Sequence, residues 1–170
     1  MTLDRQPVLS RVFDRSVLLV GLVLAGVSAI VATGAGAWSK TSLGMLLCIP
    51  VIVIVARYPV TLDRPGGAIE IGFDSVVLAL LGTLTPAHDG ALIWTAGAVA
   101  SQLLSGNRAI AKVFNVGVMT TSGIAALWTI QWLGADEIAS VWQFAAVIIG
   151  CAVYFALDFA ISEVLSLIHI

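Results

Sequence analysis

Six side chains of this sequence combine charge or strong hydrogen-bonding capacity with a position beside or within an apolar run: Arg57, Asp74, Arg108, Lys112, Asn115 and Asp158. Ionisable groups at such positions are costly in lipid unless they pair. They therefore point either to an ion-pair network that locks helix ends or to the coupling point of a device that moves. The span model set out below brings all six to the cytoplasmic ends of their segments. It places Asp158 at a depth where Lys112 or Arg108 could pair with it, Lys112 being the expected partner. Gln102 lies deep in its run, where an amide serves as a helix-to-helix hydrogen bond or as a ligand contact.

Other chemistry finds little support. Thr120-Thr121-Ser122-Gly123 offers a serine, but no histidine lies on another span to activate it, so Ser122 reads as a packing hydroxyl. Asp74 and Asp158 are the only strong candidates for a pair of membrane carboxylates, and neither stands in a Gly-x-Gly-Asp setting. His88 falls in an outer loop and His169 at the extreme C-terminus, an arrangement unsuited to a haem held between buried imidazoles. Cys48 and Cys151 sit inside apolar runs and read as small buried hydrophobes. No catalytic, metal-binding or cofactor-binding residue is expected, and the chain is read as a non-enzyme.

The elements that must position these residues follow from composition. The chain has 170 residues, 59% hydrophobic and 11% charged, against roughly 45–50% and about 25% in soluble domains. So few charges cannot coat a water-soluble fold, and the solvent must be largely lipid. A net charge of -2 leaves no basic surface for a phosphate backbone, which argues against nucleic-acid binding.

Uncharged runs at Ser16–Trp38, Thr41–Ala56, Ser75–Ala87, Gly90–Asn107, Val113–Ala135 and Ile138–Leu157 predict an all-α polytopic bundle of six spans. The first run could alternatively be a signal peptide cleaved near Ala35-Gly36-Ala37. Ser75–Ala87 covers only about 20 Å at helical rise, so a five-span fold with a re-entrant third run is the nearest alternative. Pro50 should kink the second span.

With the N-terminus in the cytoplasm, Arg5, Arg11, Arg15, Arg57, Arg64, Arg108 and Lys112 fall inside and only Lys40 falls outside. That asymmetry puts both termini in the cytoplasm. Trp38, Trp94, Trp132 and Trp142 then lie near the outer interface, with Trp128 one turn deeper. The segments are a cytoplasmic stretch 1–15, a membrane domain 16–163 and a tail 164–170. A cytoplasmic loop at 58–73 has turn chemistry at Arg64-Pro65-Gly66-Gly67 and strand-like alternation at Ala68–Ile71, which suggests a hairpin. Small residues recur every four positions at Gly21/Ala25/Ala29/Thr33, Gly97/Ser101/Ser105 and Gly117/Thr121/Ala125, faces suited to close packing within the bundle or to homodimerisation.

The order of an apolar helical pair, a loop ending Glu70-Ile71-Gly72-Phe73-Asp74, another hairpin, and Arg108 followed by Lys112-Val113-Phe114-Asn115 resembles the N-terminal membrane sensor regions of bacterial cyclic-di-GMP signalling proteins. The likeness covers roughly residues 15–165. It implies a non-enzymatic sensor or anchor that regulates a cytoplasmic cyclase, phosphodiesterase or HD-type phosphohydrolase domain in cis. Neither a Gly-Gly-Asp-Glu-Phe-like nor a Glu-Ala-Leu-like signature occurs in the chain, so the output domain would have to lie beyond it. The ending Leu165-Ser166-Leu167-Ile168-His169-Ile170 resembles translated adapter read-through, in which case those residues are not native. By architecture the bundle is also similar to the six-helix substrate-binding subunits of energy-coupling-factor vitamin transporters.

Overall fold

The computed structural model describes residues 8–36, 38, 40–58, 60–64, 67–71, 73–134 and 140–169. It is predominantly helical. Helix α1 spans Val8–Ala35, and Gly36, at φ 98°, supplies the left-handed residue that ends it. Helix α2 (Lys40–Gly44) passes through a 3₁₀ turn at Met45–Leu47 into α3 (Cys48–Arg57). That 3₁₀ turn precedes Pro50, the residue expected to kink the span. Pro50 stands in the first turn of α3, where its missing N–H leaves little unsatisfied.

Strands β1 (Val60–Arg64) and β2 (Gly67–Ile71) form the expected hairpin, pairing antiparallel from Val60 opposite Ile71 to Arg64 opposite Gly67. Helices α4 (Asp74–Leu84), α5 (Ala87–Leu104), α6 (Ala109–Gly134) and α7 (Val141–His169) complete the chain. The expected tail boundary at residue 164 lies within α7, and the expected cytoplasmic segment 1–15 runs into α1.

Among the described residues, four helical segments are long and apolar enough to cross a membrane: Val12–Ala35, Lys40–Arg57, Ala109–Gly134 and Val141–Val164. Their faces explain why. Leu19, Leu22, Val23, Val27 and Ile30 of α1 and Phe144, Ile148, Phe155 and Phe159 of α7 are exposed, an outward apolar coat that only lipid satisfies. Helix α5 has the length, at 18 residues, but is more polar. Ten of its residues are buried by its neighbours, so it needs less lipid-compatible surface. Helix α4 has 11 residues, about 16 Å at helical rise and half a hydrocarbon core.

The segments alternate in direction. Gly21 of α1 packs on Gly117, Thr120 and Thr121 of α6, and a Cβ on Gly117 would meet the backbone of Leu18. Helices α1 and α6 are therefore parallel and in close contact. Gly97 of α5 receives Ile52 of α3, Gly82 of α4 receives Ile130 of α6, and Gly150 of α7 receives Ile130 and the Ala126 carbonyl. The central core gathers Ile52, Leu78, Leu81, Ile93, Trp94, Ile124 and Leu127. At these positions small residues let backbones approach inside the bundle, where lipid leaves little hydrophobic force between helices.

Two expectations are corrected at the α4–α5 junction. His88 and Asp89, expected in an outer loop, occupy the first turn of α5, where Asp89 is buried and lies 3.6 Å from the His88 imidazole. Pro86 fixes the entry to the helix, and an acidic residue in the first turn suits the positive end of its dipole. Trp94, expected at the interface, is fully buried at the centre. It donates from Nε1 to the Met119 carbonyl at 2.7 Å and packs edge-on against Tyr154, with ring centroids 5.9 Å apart. Trp132 and Trp142 are exposed beside the α6–α7 connection.

Candidate functional site

Polar residues expected to form one cluster divide into two. The first surrounds the C-terminus of α5. A helix end leaves its last carbonyls without intrahelical donors and carries partial negative charge, so cations settle there. Arg57, ending α3, donates from Nη1 to the Leu104 carbonyl at 2.8 Å. Lys112, in the first turns of α6, donates from Nζ to the Leu103 carbonyl at 3.2 Å. Behind them Asn115 donates from Nδ2 to Oε1 of Gln102 at 3.2 Å, and the Gln102 amide faces Sδ of Met119 at 3.8 Å.

Ser105 fastens the turn that follows: its N–H and hydroxyl both donate to the Gln102 carbonyl, at 3.2 and 2.9 Å. Arg108 is exposed where the turn enters α6 and is itself engaged. Four expected residues therefore converge: Arg57, Gln102, Lys112 and Asn115. A cavity of about 80 Å³ lies among Val53, Arg57, Ser101, Gln102 and Ser105.

Asp74 and Asp158 stand apart from this group. Tyr154 donates its hydroxyl to Oδ2 of Asp74 at 3.4 Å, and Cys151 Sγ is 3.7 Å from the Ser75 carbonyl, so α4 begins opposite the middle of α7. Asp74 was expected at a cytoplasmic helix end. It sits deeper because α4 is short: its Gly82 already lies against Ile130, near the far end of α6. Oδ1 of Asp74 is buried without a hydrogen-bond partner among the described residues.

Asp158 lies one turn beyond Tyr154 on α7 and is half-buried. It does not pair with Lys112. Gly150 opposes Ala126 and Ile130 in the antiparallel α6–α7 pair, while Phe114 and Ile161 share one cluster. That register puts Asp158 level with Val118, six residues and about 9 Å along α6 from Lys112. The expected depth match fails because it rested on counting from the span ends, and α7 continues well beyond residue 157.

Comparison with family models, curated proteins and solved structures returns no match. What the chain can do is therefore carried by its own residues. Ser122 is buried and donates to the Val118 carbonyl at 2.6 Å, the i−4 bond of a helix-packing hydroxyl. Both cysteines are free thiols. No three His, Cys, Asp or Glu side chains among the described residues gather as a metal site.

Two participants escaped the sequence reading. Tyr154 stands four residues before Asp158, a spacing that puts both on one helix face and could have flagged it. Gln131, whose Oε1 accepts the Ala87 N–H at 2.6 Å, joins the start of α5 to α6 and carries no local sequence signature.

Proposed function

We propose that the chain is a non-enzymatic membrane sensor or anchor, of the kind that precedes cyclic-di-GMP signalling domains in the bacterial cytoplasmic membrane. Six alternating passes, the third made by the half-length α4 that follows the cytoplasmic loop 58–73, leave both termini in the cytoplasm. The seven-to-one distribution of basic residues supports that orientation. Helix α7 passes a shift or rotation to a cytoplasmic domain in cis. The bundle then needs two packings a few kcal/mol apart.

The observation that carries this reading is the placement of α7. Over Val141–Val164 alone its 24 residues extend about 36 Å, beyond a ~30 Å core. Through Gly150 and Tyr154 it touches both α6 and the start of α4. A displacement of either helix reaches α7 directly. Homodimerisation would add a second route; the Thr33 end of the α1 stripe is exposed, whereas Gly21 is already covered by α6.

The test is the genomic DNA downstream of the Glu163 codon. An in-frame cyclase, phosphodiesterase or phosphohydrolase domain is expected, and a stop codon there removes the reading's main support.

One observation favours a second reading, a substrate-binding membrane subunit of a vitamin-type transporter. Helix α4 starts at mid-height, and broken helices with termini near the midplane recur in transporters. Genes for an ATPase pair and a membrane coupling protein beside this one, with binding of a vitamin-sized molecule to the purified bundle, would select it.

A further inference from the structure

At the end of the bundle opposite the Arg57–Lys112 cluster, a cavity of about 220 Å³ opens between the end of α4, the entry to α5, the end of α6 and the start of α7. Its lining among the described residues includes Gly82, Thr83, Thr85, Gln131 and Gln143, and no charged side chain. Pro86 decides its chemistry. Having no N–H, Pro86 cannot serve the Gly82 carbonyl four residues back, and the Ala87 N–H that would serve Thr83 goes to Gln131 instead. The last turn of α4 therefore presents carbonyl oxygens without helical donors at a negative dipole end.

The Thr83 and Thr85 hydroxyls spend their hydrogens on Ala79 and Leu81, at 2.8 and 2.7 Å, which leaves their oxygens as acceptors. On the opposite wall, Gln131 uses Oε1 on Ala87, while its NH₂ has no protein partner among the described residues. The recess is thus rich in acceptors, holds at least one free donor and, among the described residues, contains no counter-charge.

We infer that this cavity binds a small uncharged polyol, whose hydroxyls donate to the α4 carbonyls and threonine oxygens and accept from Gln131. The volume lies below the ~300–1,000 Å³ of pockets for drug-sized ligands, so the molecule is compact. An anion would face carbonyl oxygens, and among the described residues a cation would find no carboxylate in the lining. Occupancy ties the α4–α5 corner to α6 and α7. The consequence for signalling rests on the sensor reading, but the binding does not.

The experiment uses the full chain in lipid nanodiscs, where no sugar detergent competes, with labelled myo-inositol and glycerol as probes and methylammonium and acetate as charged controls. Saturable binding of at least one polyol is expected, weakened at least tenfold in Gln131→Leu and unchanged in Arg57→Ala at the other end. Thr83→Val, which keeps shape and removes one acceptor, is the second variant should Gln131→Leu fail to fold, and it should weaken binding in the same direction. Absence of saturable polyol binding, meaning a water-filled recess only, overturns the inference, as does equal affinity in both variants or tighter binding of methylammonium. Because binding is read on the isolated chain, its failure is distinct from a stop codon after Glu163.

Discussion

Asn115 donates its side-chain amide to Oε1 of Gln102 across 3.2 Å, joining α6 to α5 just inside the two cations, Arg57 and Lys112, that cap α5. Interhelical hydrogen bonds within bilayers average about 0.6 kcal/mol and reach roughly 1.7. Gln102→Leu should destabilise the detergent-solubilised bundle by that order, since it also removes the contact with Met119 Sδ. Adding Asn115→Leu should cost less than the sum of the single changes, because the second substitution removes an amide already left without its acceptor. Thermal unfolding followed by far-UV circular dichroism gives the cycle, and additivity would show that the two amides do not meet.

For Lys112 and Asp158 the opposite outcome is expected. Lys112 bonds the Leu103 carbonyl, and the α6–α7 register separates it from Asp158. Lys112→Ala and Asp158→Ala should therefore combine within about 0.5 kcal/mol of additivity. Coupling well above that would mean that α7 slides along α6 in solution.

Gly123 sits directly under the Trp94 indole, where a Cβ would collide with Nε1. The indole cannot retreat easily, because its N–H holds the Met119 carbonyl and its ring abuts Tyr154. Gly123→Ala should cost on the order of 1–3 kcal/mol of stability, the range for overpacking. Trp94→Phe in the same chain should recover part of that loss. In a background where Trp38, Trp128, Trp132 and Trp142 are replaced by Phe, quenching of the remaining Trp94 by water-soluble acrylamide should be weak and should rise in Gly123→Ala if the indole is expelled; an unchanged melting temperature would show that the α5–α6 contact is loose.

What could be read from the sequence was whatever depends on local composition. The apolar runs of α1, α6 and α7 and the pairing of β1 with β2 needed only length, periodicity and turn residues to locate. What escaped depends on tertiary register. Trp94 looks like any interfacial tryptophan until Gly123 is seen to leave room for it at the core.

Asp89 looks like a loop residue because it follows Pro86, yet Pro86 opens a helix and Asp89 suits its first turn. Asp74 was given the depth of a span end, although its helix has only 11 residues. Asp158 was matched to Lys112 by distance from span ends, a measure blind to the stagger that Gly150 and Ile130 impose. Gln131 escaped because its partner, the Ala87 N–H, is 44 positions away.

Orientation offers the last prediction. In a background with Cys48→Ala and Cys151→Ala, single cysteines at Val141 and Gly106 probe opposite ends of the bundle at exposed positions. Val141 starts α7 beside Trp142, whereas Gly106 lies in the turn that Arg57, Arg108 and Lys112 surround. Basic residues resist transfer across a membrane, so the proposed orientation keeps this turn inside. A membrane-impermeant maleimide applied to intact spheroplasts should label Val141→Cys and leave Gly106→Cys unmodified until the cells are opened. The reverse pattern would invert the bundle, place the polyol cavity on the cytoplasmic side and remove the route from an external signal through α7 to a cytoplasmic domain. Labelling of both from outside would show that the α5–α6 turn is not sealed from the external medium, and the two cations at the α5 C-terminus would then be an external feature.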